Sequence, residues 1–126
     1  VKATCFDFIE SSNLISIGCN SGVVTLYKIE NKNKSKMIYN INNLITTING
    51  IQFNHDGQLM IIWSKIKKQA IRLIHVETGK VYSNWPKDKG LSFIYQAQFS
   101  PNSGYLAIGN DLGQLKLMRL HFYGNL

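Results

Sequence analysis

Cysteine is nearly missing from these 126 residues: Cys5 and Cys19 stand alone, forming neither a CxxC pair nor the disulfide framework on which small secreted domains rely. Their scarcity favours a reduced, intracellular compartment. No run of about 18 apolar residues occurs and no basic stretch leads into an apolar one at the start, so neither a membrane-spanning helix nor a signal peptide is expected. Val, not Met, stands at position 1, which suggests a segment of a longer chain.

Catalytic signatures are equally sparse. There is no G-x-x-x-x-G-K-[ST] phosphate loop, no H-E-x-x-H and no G-x-S-x-G elbow. His55, His75 and His121 are scattered, with no Cys or carboxylate cluster at ligand spacing, so no metal, no cofactor and no small-molecule substrate is expected. Acids are few as well: 7 Asp plus Glu stand against 14 Lys plus Arg, a net charge of +7 that favours polyanionic partners, or else a merely solvated lysine surface.

What is present is a repeat. Residues 3–29, 48–76 and 93–120 can be laid over one another, with Phe8, Phe53 and Phe99 in register at spacings of 45 and 46 residues. Leu14, Leu59 and Tyr105 follow each Phe at a fixed distance, then Ile17, Ile62 and Ile108, while Leu26, Leu73 and Leu117 close each unit's third element. A period near 45 is that of a β-propeller blade. Each unit reads as short strands joined by tight turns, with Gly22 and Gly113 where a hairpin needs positive φ, and Asp56-Gly57 and Pro101-Asn102-Ser103-Gly104 supplying turn chemistry in the later units. Fourth strands are expected over 37–42 and 81–85, whereas the last unit supplies none.

The fold class expected is therefore all-β, about three blades (1–43, 44–90 and 91–126) from the C-terminal part of a WD-repeat β-propeller, the last lacking its outer strand. A chain segment upstream would supply that strand. Three blades do not close a ring, since propellers typically use 4 to 8.

Lysines gather in loops. Lys65, Lys67 and Lys68 fall between the second and third strands of the middle unit, and Lys87 and Lys89 between its fourth strand and the next unit. In a propeller those loops open on the same face, making these five the candidate RNA or partner contacts; Lys32, Lys34 and Lys36 belong to the opposite face. No aromatic residue interleaves with the lysines inside these loops, so the sign of base stacking is missing from them. Asp7 alternates with Phe6 and Phe8, which predicts a solvated or cross-strand-paired carboxylate. Trp63 stands where the sibling units have Gly18 and Gly109, which predicts packing against a neighbouring blade or else a contact surface, packing being favoured. Asn33-Lys34-Ser35 fits the glycosylation triplet and is read as an unmodified loop.

The stretches Phe53-Asn54-His55-Asp56-Gly57-Gln58-Leu59-Met60, Ile71-Arg72-Leu73-Ile74-His75-Val76 and Ser83-Asn84-Trp85-Pro86 closely resemble one WD-repeat family, that of the U-three small nucleolar RNA-associated protein eighteen. Ser100-Pro101-Asn102-Ser103-Gly104-Tyr105-Leu106-Ala107-Ile108-Gly109-Asn110, the ending Arg119-Leu120-His121-Phe122-Tyr123 and Ser21-Gly22-Val23-Val24 extend the likeness over nearly the whole chain. The resemblance implies a non-catalytic scaffold in the UtpB complex of the small-subunit processome. It would act in pre-rRNA processing and 40S ribosome biogenesis in the nucleolus or nucleus, with processome proteins, and pre-rRNA or small nucleolar RNA, as partners. The Trp-Asp dipeptide that names WD repeats is replaced here by Tyr27-Lys28, Ile74-His75 and Met118-Arg119. A generic WD-repeat adaptor of another intracellular complex would share the blades without the 83–86 segment, and a propeller enzyme would need convergent acids that these blades do not offer.

Overall fold

The computed structural model describes residues 1–120. The expectations for His121, Phe122 and Tyr123 lie outside the described residues. Eleven strands follow one another in antiparallel sheets. The first sheet runs β1 (Ala3–Ile9), β2 (Leu14–Cys19), β3 (Val24–Asn31), β4 (Lys34–Ile41), and the second β5 (Gly50–Phe53), β6 (Leu59–Trp63), β7 (Ile71–His75), β8 (Lys80–Val81). The third runs β9 (Ile94–Phe99), β10 (Tyr105–Asn110), β11 (Leu115–Arg119), three strands among the described residues.

The repeat seen in the sequence is a repeat of register. Phe8 pairs with Ile15, Phe53 with Met60 and Phe99 with Leu106, the same offset each time, because the chain between the paired residues has the same length in each sheet. The turns themselves differ: a 3₁₀ turn at Glu10–Ser12 ends on Asn13 at φ 53°, whereas Gly57 takes φ 74° in the second sheet. In the third, Ser103 and not the neighbouring Gly104 carries the positive φ, 59°, and its buried hydroxyl meets the ring Nδ1 of His55 at 2.6 Å.

Period-two alternation distributes the core. β6 is buried at all five positions because it is covered on both sides. Its Met60 and Ile62 face the first sheet, packing with Val24, Leu26, Ile41 and Ile48. Leu59, Ile61 and Trp63 face the third, packing with Ile94, Ala97, Phe99, Leu106 and Ile108. Each Val, Leu, Ile, Met and Phe among them contributes about 1.5–3 kcal/mol by leaving water. Trp63 packs as expected: it is 5% exposed, and its indole lies across its cross-strand partner Gly50, where any Cβ would overlap the ring at Cζ2.

Neighbouring sheets are also joined at their first strands by a repeated hydrogen bond. The Phe53 N–H donates to Asp7 Oδ2 at 2.8 Å, and the Phe99 N–H donates to Gln52 Oε1 at 2.7 Å. Asp7 and Gln52 each precede the repeated Phe of their own sheet; Asp7, half-buried, is paired across strands as expected, with a strand of the next sheet. Gln98 holds the third such position and is exposed.

The fourth strand of the second sheet departs from expectation. Val81 and Lys80 pair with Ile74 and His75, and the Tyr82 N–H still reaches the Leu73 carbonyl at 3.0 Å. The chain then turns away, with the Trp85 N–H directed at the Tyr82 carbonyl, so 83–85 do not continue the strand. β4, by contrast, starts three residues before the expected 37 and runs for eight.

Candidate functional site

Antiparallel order puts the connections β2–β3, β4–β5, β6–β7, β8–β9 and β10–β11 at one end of the three sheets. Hydrogen bonds stitch them together there. The Thr46 and Ser64 hydroxyls meet at 2.7 Å, the Lys65 N–H donates to Asn49 Oδ1 at 2.6 Å, and Phe93 and Asp111 exchange a reciprocal pair at 3.1 Å. Lys32, at the β3–β4 turn, and Lys34 and Lys36, on β4, lie toward the opposite end of the first sheet.

Gln69, which no motif or charge pattern singles out, binds the two lysine loops to each other. Its N–H donates to the Ser92 carbonyl at 2.8 Å, its Nε2 to the Asp88 carbonyl at 2.9 Å, and its Oε1 accepts from the Leu91 N–H at 2.5 Å. The exposed lysines flank this clamp. Lys65 Nζ stands 5.4 Å from the centre of the Tyr95 ring and Lys68 Nζ 5.8 Å from that of Phe93, while Lys87 and Lys89 line a cleft on the side of β8. Lys67 is exposed in the same loop as Lys65 and Lys68 but does not line the cleft. Phe93 belongs to the same β8–β9 connection as Lys87 and Lys89, and Tyr95 to β9.

Two acids sit among these cations, and both are engaged. Asp88 Oδ2 lies 3.8 Å from Lys116 Nζ, and its Oδ1 accepts from the Gly90 N–H at 2.8 Å. The Asp111 carboxyl is held below the ordinary carboxylate range, chiefly by the Ser92 hydroxyl, with the Phe93 N–H and the Lys68 charge adding to it. The field of the surrounding lysines is therefore only partly cancelled.

The cleft encloses about 780 Å³ between residue 43, β7 and the 81–89 segment. It exists because β8 is two residues long: among the described residues, the outer edge of β7 has no strand beside Ile71 and Arg72. Arg72 fills that vacancy with its own side chain. Its Nη1 donates to the Ile71 and Gln69 carbonyls at 2.8 and 3.1 Å, and its Nε donates to Asn43 Oδ1 at 2.5 Å. The guanidinium is thereby fixed in place, and Nη2 carries no hydrogen bond among the described residues. Trp85 is half-buried: it packs against the core between the second and third sheets and also lines the cleft. Among the residues lining this cleft, Arg72, Lys87 and Lys89 are cationic and none is acidic.

The polar residues elsewhere serve the blades. His75 Nδ1 contacts the Thr78 hydroxyl at 2.8 Å, and His55 joins Ser103 across two sheets. Cys5 and Cys19 are free thiols, and burial pushes the Cys5 thiol above its ordinary range, away from the reactive thiolate.

A family described as "Anaphase-promoting complex subunit 4 WD40 domain" matches residues 6–96. The chain belongs to this WD40 family. Its blades are similar in shape to the β-propeller domain of Myceliophteria thermophila Cps50 (Swd1), with a TM-score of 0.74 over 95% of this chain and 36% of that one; at 16% identity this likeness concerns the fold. Curated relatives agree on a single name. U3 small nucleolar RNA-associated protein 18 homolog of Caenorhabditis elegans is 32% identical over 98% of this WD40 chain and 30% of its own length. The Homo sapiens homolog is 36% identical over 88% and 21%, and the Saccharomyces cerevisiae protein 35% identical over 91% and 20%. The resemblance read from the 53–60, 71–76 and 83–86 segments is thus a relationship that covers most of the chain, and the chain spans between a fifth and a third of those relatives' length.

Proposed function

We propose that this chain forms blades 1–43, 44–90 and 91–126 of a U3 small nucleolar RNA-associated protein 18. It acts as a non-catalytic scaffold of the small-subunit processome in pre-rRNA processing and 40S ribosome biogenesis, within the nucleolus. One observation carries this reading: relatives bearing that name in animals, plants and fungi align with nearly all of the chain at 32–36% identity. The scaffold role is supported by where the polar side chains are spent. Asp7, Gln52, His55 and Arg72 hold strands, loops and neighbouring sheets together. The partners are processome proteins and, through Lys65, Lys67, Lys68, Lys87 and Lys89, pre-rRNA or small nucleolar RNA.

Purification of the tagged intact protein from cells, with U3 RNA quantified in the eluate, tests the reading. Enrichment of U3 RNA over an unrelated small RNA is expected; a soluble, folded protein that recovers none overturns the assignment. Neutralising the five lysines together should lower the recovery, whereas neutralising Lys32, Lys34 and Lys36 should not. Equal losses from both sets would reduce the effect to net charge.

A further inference from the structure

We infer that the cleft beside β8 is a seat for single-stranded RNA, in which Trp85 stacks a base and Arg72, Lys87 and Lys89 receive phosphates. This rests on the proposal above that the lysine-bearing face meets RNA, and it names the place and the strandedness.

Three features converge on it. Charge comes first: among the described residues, three cations and no carboxylate line the cleft. Second is the aromatic content of the face, since a cation lies beside a ring at Lys65 and Tyr95 and at Lys68 and Phe93, and in the cleft Trp85 shares the lining with Arg72, Lys87 and Lys89. Polyanions with flat apolar faces use both kinds of group, because stacking on aromatics and phosphate neutralisation are the two terms of single-strand binding. An acidic peptide would match the cations and leave the rings without a role. Duplex RNA would present phosphates but keep its bases stacked inside. Third is preorganisation: Arg72 is already fixed by Asn43, Gln69 and Ile71, so its remaining donors reach the ligand without first being ordered.

The test uses the intact purified protein and a fluorescein-labelled, mixed-sequence RNA decamer, the same decamer annealed to its complement, and polyglutamate as competitor. Trp85→Ala should weaken binding of the single strand by about 5- to 150-fold while leaving the duplex unchanged. Trp85→Phe keeps a flat ring and should restore most of the loss, separating stacking from a folding defect. Lys87→Ala with Lys89→Ala should weaken the single strand and flatten the logarithmic salt dependence by about 0.7 units for each phosphate left without its lysine. If Trp85→Ala binds the single strand as the parent does while neutralised Lys65, Lys67 and Lys68 do not, the face meets RNA elsewhere and the cleft assignment falls alone. Polyglutamate competing as well as RNA at equal charge would make the cleft an acidic-peptide site and overturn the inference. Absence of RNA binding by the parent protein would remove both the cleft and the RNA role of the face, leaving the scaffold reading to its own U3 recovery test.

Discussion

Single residues in this chain do most of their work across sheets. Asp7 and Gln52 each accept a first-strand N–H from the following sheet, and an N–H left without its partner in a partly buried place costs about 1–3 kcal/mol. Asp7→Ala and Gln52→Ala in the intact protein should each lower unfolding free energy by about that amount, measured by denaturant titration. Tyr39 makes a different cross-sheet bond, its hydroxyl donating to the Val76 carbonyl at 2.7 Å, and burial pushes its pKa up to about 12. The folded chain holds this proton more tightly than the unfolded one, in which the phenol titrates near 10. Its contribution is therefore complete below pH about 10 and is lost as pH rises from there towards 12. Tyr39→Phe should cost about 1 kcal/mol at neutral pH. Stability measured across the alkaline range should then decline less steeply in that variant, though not flatly, because burial also raises the Tyr82 phenol.

At the scale of elements, the second sheet is the most constrained because both of its faces are core. Gly50→Ala should cost about 1–3 kcal/mol by forcing the Trp63 indole off its seat. Combined with Trp63→Leu, the two losses should sum to less than their separate values in equilibrium unfolding, since the smaller side chain makes room for the added methyl. The strands of this sheet were legible in sequence where local pattern decides them. The Phe-to-Phe period reports a hairpin offset, which is a property of a few adjacent residues. The end of β8 was not legible: Val81, Ser83 and Trp85 alternate as a strand would, but Tyr82 and Trp85 are drawn into the core between the second and third sheets. The lysines of the candidate site were visible as charge. Gln69, Arg72 and the rings of Phe93 and Tyr95 were not, because their bonds and neighbours span long stretches of chain, 19 residues from Gln69 to Asp88 and 29 from Arg72 to Asn43.

Taken together, the three sheets present two unlike faces among the described residues. That of the first sheet exposes Phe6 and Phe8, 69% and 43% accessible, and that of the third exposes Leu115 and Leu117 at 73% and 63%. Uncovered apolar faces of this kind drive association. The repeated cross-sheet bond determines its form. Gln98 offers an acceptor from the third sheet, where Asp7 and Gln52 offer theirs, and Phe8 has the first-strand place from which Phe53 and Phe99 donate. The stack is thus a vector, with a giving end and a receiving end, and neither end complements itself. Contacts between unlike ends are heterologous: they build rings when the rotation closes and open filaments when it does not. Copies of the 126-residue chain on their own should therefore grow as a concentration-dependent ladder in sedimentation velocity, which Gln98→Leu shortens. A lone dimer that stops growing would show that the faces meet by some other rule.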